Sequence, residues 1–320
     1  MGYDCKILAD SISPNGDRLT SFEVTFPRIV LAEVNTHRMI SRNSASSRAI
    51  PVKKRIDAVI ADPFIPTEFG RNKKGMQHDD VLDENADRLA RTCWAQARTS
   101  AIDCAQMLAE IGVHKQLANR VLEPFAWHTA VLTATDWDNF FHLRVNLAAQ
   151  GEFRRAAEMM QELYEKSEPH PVNYGDWHTP YVDGTEAFDV DVRARALVQA
   201  NSIDGQQGQL VKASISAARC ARVSYLTQDG TRDFSEDLAL FDRLVGPGHL
   251  SPLEHPARPM YPGEIDLFRT IRYEWDAPCG WFTAVGAASY LGNYNGWVQL
   301  RKLIPGERDI LGHRARPGGA

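Results

Sequence analysis

Residues 22–48 read FEVTFPRIVLAEVNTHRMISRNSASSR, and the rest of the chain is organised around this stretch. Phe22, Val24 and Phe26 alternate with polar residues, the two-residue period of a half-buried strand. Pro27 stands where helices often start, and RIVLAEVNTHR follows without a breaker, so a helix is expected from Arg28 onward. Val30, Val34, His37 and Ser41 would share one of its faces. Beyond it, His37, Arg38, Arg42 and Arg48 stand among Ser41, Ser44, Ser46 and Ser47, with no Asp or Glu from Val34 to Ile56. Forked guanidinium donors interleaved with hydroxyls suit phosphate oxygens. The bland alternative is a solvated basic loop. The alternation of charge with small hydroxyl residues, carried at a helix end and stopped by Pro51, favours the phosphate or flavin reading.

Composition limits what such a patch serves. The chain has 320 residues, 43% hydrophobic and 24% charged, ordinary values for a globular protein with one large domain or two modest ones. A formal charge of -5 argues against nucleic acid as the partner of the whole surface, and leaves a local basic patch free to take a small anion. Cys5, Cys93, Cys104, Cys220 and Cys279 are odd in number and contain no C-x-x-C pair, which favours reduced thiols and a cytoplasmic setting. No run approaches 18 apolar residues and the N-terminus has no apolar core, so neither a membrane span nor a secretory signal is expected.

Further along, 61–80 is rich in Pro, Gly and charge and reads as a long loop. A helix is expected from Asp83 to the Gly112 stop, with Leu89, Cys93, Ile102 and Met107 among its apolar positions. A second runs from His114 to Glu123, ended by Pro124. WHTAVLTAT (127–135) alternates in part like a strand. Asp136 is a plausible N-cap for one long amphipathic helix reaching to about residue 166. Residues 167–186 read as an ordered connection, followed by a helix around 189–201, a strand-like LVKASISA (210–217) and a helix over DFSEDLALFDRLV (233–245). The fold class expected is α+β, a mixed or antiparallel sheet packed with long helices.

Several chemistries are unsupported. There is no phosphate-binding G-x-x-x-x-G-K-[ST], no G-x-G-x-x-G after a strand and no G-x-S-x-G elbow. GPGHLSPLEH (246–255) holds two histidines and a carboxylate in a turn, but its spacing matches no metal site, and no metal is expected. Arg120 and Arg144 each lie in an otherwise amphipathic helix; alone, either reads as a surface arginine whose stem covers apolar area.

Taken together, the motifs resemble flavin-dependent thymidylate synthases. THRMISRNSASSR is similar to that family's signature, and FEVTFPRIVLAEVN to the strand and helix leading into it. GVHKQLANRVLEPF resembles its R-x-x-L-P helix, and NFFHLRVNLAAQGEF its N-F-x-x-L-R helix. AARCARVSY…GPGHLSPLEH (217–255) looks like the block that opens a typical family member, yet here it follows the signature. The order implies a circular permutation within a single catalytic domain spanning 1–320. Residues 167–210 would join the usual ends, and 257–320 would form a C-terminal extension.

The resemblance implies roles residue by residue. His37, Arg38, Asn139, His249, Ser251 and Glu254 correspond to flavin-contacting positions. Ser46, Ser47, Arg48 and Arg120 correspond to positions that hold the nucleotide's base and phosphate. Arg144 corresponds to the arginine on the pyrimidine edge that promotes its ionisation, so Arg144 and Ser46 stand as the catalytic candidates. FAD would be the cofactor, with NADPH and methylenetetrahydrofolate as co-substrates, a deoxynucleotide monophosphate as substrate, and a homotetramer as the assembly. The expected reaction is dUMP to dTMP. Thr36 replaces the first signature arginine, Ser44 a glutamate, Ala49 a tyrosine and Ala148 a histidine; the departures at Thr36 and Ser44 motivate an alternative, methylation or hydroxymethylation of dCMP. A relative that binds nucleotide or nucleic acid without catalysis is the reading from a different class.

Overall fold

The computed structural model describes residues 2–75, 80–182, 205–223, 233–265, 275–276, 281–282, 292–304 and 307. Its centre is the hairpin of β1 (Asp4–Ile12) and β2 (Arg18–Pro27), turned at Gly16, whose φ of 88° suits a residue without a Cβ. Phe22, Val24 and Phe26 are at most 1% exposed, as their alternation requires. On the opposite face Ser21 and Thr25 are buried as well, so β2 is covered on both sides.

The expected helix after Pro27 is much shorter than its pattern suggested. A single 3-10 turn (Arg28–Val30) leads into α1 (Leu31–Val34), where the helix ends. Thr36 Oγ1 donates to the carbonyl of Glu33 at 2.6 Å, a local bond that competes with continued winding. The chain then turns into β3 (Ser41–Ser44), so the signature is a sheet edge and not the loop expected beyond a helix. Pro51 precedes a helix unforeseen in the pattern, α2 (Val52–Ala61). Next come α3 (Glu84–Glu110), N-capped by the Asp83 carboxylate, and α4 (Lys115–Ala118). A 3-10 stretch, Asn119–Phe125, follows and takes Pro124 inside it, leading to β4 (Trp127–Ala134). On α3 the packed positions are Ala105 with Trp94, Ala101 and Ile102, whereas Leu89 and Met107 are exposed.

The single helix expected over 136–166 is two, α5 (Asp138–Arg144) and α6 (Gly151–Lys166). The Asn146 side chain accepts from Ala148 N at 2.9 Å, holding a turn between them, and the N-cap of α5 is Trp137, not Asp136. After β5 (His170–Pro171) the helix expected at 189–201 lies outside the described residues. The strand-like 210–217 falls inside α7 (Gly205–Arg222). Ala213, Ile215, Ser216, Ala217 and Ala218 are all buried, and a segment buried on every side carries no periodicity to separate helix from strand. Helix α8 (Phe234–Val245) forms as expected, capped by Asp233.

The sheet order is β3-β4-β2-β1-β5, antiparallel apart from the short parallel pair β1 and β5. The expected α+β class with a mixed sheet is therefore observed. Helix α6 packs Phe153, Ala156, Ala157 and Met160 on the Phe22 face, while Cys220 and Val223 cover Val131 on the other. Burying Phe153, Met160, Val131 and Val223 contributes about 1.5–3 kcal/mol each. A separate pair, β6 (Ala257–Pro259) and β7 (Trp297–Gln299), closes that second face. Trp297 is fully buried against Leu19, Val172 and Tyr294, so this part of the C-terminal region belongs to the core.

Candidate active site

The break after α5 decides the geometry. It ends the helix at Arg144, whose Nε donates to His37 Nε2 at 2.7 Å, while Nη2 reaches Thr36 Oγ1 at 3.4 Å. The guanidinium lies 4.9 Å from the Phe153 ring centroid, and Phe140 and Phe153 present their edges to His37. Accepting from Arg144 leaves His37 neutral with its proton on Nδ1. Burial first, then Arg144 and Arg42, lower its pKa to about 4. Two candidates 107 residues apart in the chain thus form one unit.

Strand β3 carries the next contacts. Asn43 Nδ2 donates to the Cys220 carbonyl at 2.7 Å, and Ser251 Oγ meets Asn43 Oδ1 at 3.5 Å. The turn Ser251–Glu254 therefore lies against the signature strand, although some 200 residues separate them. Glu254 is ion-paired with Arg301 at 2.5 Å. Its carbonyl accepts from Gln299 Nε2 at 3.1 Å, and the same amide donates to Ser41 Oγ at 3.0 Å. Asn293 Nδ2 donates to the Arg38 carbonyl at 3.2 Å. Asn293 and Gln299 brace the signature and Arg301 the turn beside it, and nothing in their local sequence pattern marks them; only the folded chain brings them here.

A second hub sits beyond β3. Glu123 Oε1 accepts from Ser47 Oγ at 2.5 Å, Arg28 Nη2 at 3.1 Å and Arg120 Nη1 at 2.9 Å. Asn119 Nδ2 donates to the carbonyls of Ser47 and Ile50 at 2.7 and 2.9 Å. These bonds fix the loop that presents Ser46 and Arg48. Glu123 escaped the sequence reading, although its place three residues after Arg120 is an ion-pair spacing.

Arg38, Arg48, Asn139, His249 and Ser251 are exposed, and Arg120 is half-exposed. Arg38, Arg48, Asn139 and His249 make no side-chain hydrogen bond among the described residues, and so remain donors for a ligand. His37 and Arg144 are brought together, as are Asn43 and Ser251, and Ser47 and Arg120. Asn139 lies five residues before Arg144 on α5.

Beneath the site runs a buried polar chain. Ser11 Oγ and Ser21 Oγ each lie 2.8 Å from a ring nitrogen of His178, Ser21 is 2.6 Å from Thr133 Oγ1, and Thr133 is 2.8 Å from His255 Nδ1. Burial lowers both histidine pKa values to about 3. Among the described residues no group of three or more His, Cys, Asp or Glu could hold a metal ion, and no helix is long and apolar enough to cross a membrane.

Residues 19–170 match the family model described as thymidylate synthase complementing protein, so the resemblance drawn from the motifs is borne out over that segment. No curated protein sequence matches the chain. Among solved structures, the UMP/dUMP methylase PolB from Streptomyces cacaoi bound with 5-Br dUMP is similar at 20% identity and a TM-score of 0.39, covering 47% of this chain and 66% of that one. The same methylase bound with 5-Br UMP is similar at 16% identity and a TM-score of 0.43, covering 51% and 89%.

Proposed function

We propose, on the premise that residues 19–170 form a segment of the thymidylate synthase complementing family, that this chain is a flavin-dependent C5 methyltransferase of deoxypyrimidine monophosphates. The reaction is dUMP to dTMP, with methylenetetrahydrofolate as carbon donor and NADPH as reductant. The observation that carries the reading is the Arg144–His37 pair at 2.7 Å, set beside exposed, uncommitted donors.

The donor set fits a flavin nucleotide. Arg38, His37 Nδ1–H, Asn139, His249 and Ser251 offer cationic, imidazole, amide and hydroxyl groups, while the nearest carboxylate of the turn, Glu254, is already held by Arg301. When bound, the flavin supplies hydride and one-carbon transfer. The rest is work for the side chains of this chain. Arg48 and Arg120 hold the nucleotide phosphate, and Glu123 orients Arg120 and Ser47 for it, so that remote binding positions the ring. Ser46 holds the base. Arg144, braced by neutral His37, faces the pyrimidine edge and stabilises negative charge there as C5 becomes nucleophilic. Phe140 and Phe153 cover one side of the half-buried pair, which strengthens that interaction.

The contact between Ser251 and Asn43 supports the circular permutation, because it sets the displaced block against the signature strand. Under this reading 1–320 is one catalytic domain, 167–210 the join, and 257–320 an extension whose Asn293, Gln299 and Arg301 brace the site. The assembly is a homotetramer, supported by the exposed apolar Leu89, Met107, Ile111 and Leu117. The test is Arg144→Ala. The variant should retain flavin absorbance and lose methyl transfer to dUMP by about 100-fold or more; unchanged turnover overturns the assignment.

A further inference from the structure

Arg55 on α2 is 5% exposed, and its Nε and Nη2 have no hydrogen-bond partner among the described residues. A buried unpaired guanidinium is costly to keep, so its retention calls for a counter-ion. Besides burial, the charges that act on it are Arg28, which lowers its pKa, and Glu123, which raises it. Glu123 is already engaged by Ser47, Arg28 and Arg120, which leaves the surroundings cationic. Arg55 also lines a cavity of about 360 Å³ between α2, the start of β4 and the loop from Ala45 to Ile50. Ala45, Ile50, Val59 and Ala126 make its walls apolar. Trp127 forms another wall, and its Nε1 is a second buried donor without a partner among the described residues. Lys54 and Asp62 line it too and offset each other in charge.

We propose that this cavity binds a small organic carboxylate with an aromatic or alkyl body. The carboxylate sits on the Arg55 guanidinium, and the body lies against Ile50, Val59 and Trp127. One guanidinium matches one carboxylate in a forked pair. A phosphate would leave oxygens stranded on apolar walls, and a neutral body alone would leave the arginine unpaired. The volume is of the size that ligand sites take, about 300–1,000 Å³. The cavity shares no residue with the Arg144–His37 pair, the Ser251 turn or Ser46, Ser47, Arg48 and Arg120. Ala45 and Ile50 flank that last loop, and the test below reads binding without methyl transfer, so its failure and that of the methyltransferase reading are distinguishable.

The test titrates the full chain with 4-fluorobenzoate by fluorine NMR, beside 4-fluorobenzamide, with benzoate and inorganic phosphate as competitors. Two variants accompany it: Arg55→Met, and Ala58→Trp, which fills the cavity from an exposed position. The expected result is saturable binding displaced by benzoate but not by phosphate. Binding of the amide, and of the carboxylate to either variant, should be weaker by about tenfold or more. Arg55→Met should also unfold no more easily than the parent, since it removes an unpaired buried charge. Absence of saturable binding, equal binding of the amide, displacement by phosphate, or undiminished binding to Ala58→Trp overturns the proposal.

Discussion

At the scale of single residues, the site rests on neutral imidazoles. His37 holds its pKa near 4 and accepts from Arg144; His178 and His255 hold theirs near 3 inside the polar chain. Above pH 6.5 the folded and unfolded chains both carry these rings uncharged, and the rings confer no pH dependence. As pH falls below 6.5 the unfolded chain takes up protons that the folded chain refuses, so stability declines through pH 4 toward pH 3. Denaturant midpoints measured between pH 7 and 4 should show this decline, and His178→Gln should flatten it; a midpoint independent of pH in the parent would contradict the assignment. The cationic half of the site was legible in the sequence because charge without acid is visible in a string of letters. The Arg144–His37 contact was not, because it depends on where a helix stops.

At the scale of elements, small local bonds overrule hydrophobic period. The Thr36 hydroxyl and the Asn146 amide end helices whose apolar spacing would let them run on, and both breaks place site residues. Periodicity found α3 and α8, where one face is wet and the other buried, and it found β2 and β4 from their alternating apolar residues although both strands are covered on both faces. It failed for α7, which is buried all round, and it overlooked α2. Two predictions belong here. Glu123→Gln weakens three bonds at once and should cost about 1–3 kcal/mol in urea unfolding while raising KM for the nucleotide; an unchanged KM would remove Glu123 from the phosphate site. Gly296 has φ of 72°, and a Cβ there would lie 1.9 Å from Asp17 Oδ2. Gly296→Ala should therefore cost at least roughly 1–2 kcal/mol and loosen the segment that carries Trp297 and Gln299. A wild-type unfolding midpoint would show that the hairpin turn gives way freely.

At the scale of the whole molecule, motifs far apart in the chain converge on one sheet edge. Blocks around residues 36–48, 139–144 and 249–254 were each readable alone, but their meeting is a property of the fold. The bracing from Asn293, Gln299 and Arg301 lay in a stretch that resembled nothing, and long-range hydrogen bonds leave no local pattern to read. The exposed apolar side chains at the ends of α3 and α4 give the proposed tetramer its own prediction. Met107→Asp with Ile111→Asp should lower the mass found by light scattering and reduce turnover; a fully active monomer would contradict the shared assembly. The central claim is tested most directly by incubating flavin-loaded protein anaerobically with NADPH and methylenetetrahydrofolate, with dUMP or dCMP in parallel, and weighing the nucleotides. A methyl gain on dUMP is the predicted result. A gain on dCMP alone, or of a hydroxymethyl group, would contradict the dUMP assignment and turn attention to Thr36 and Ser44, and no gain on either base with flavin bound would contradict the methyltransferase itself.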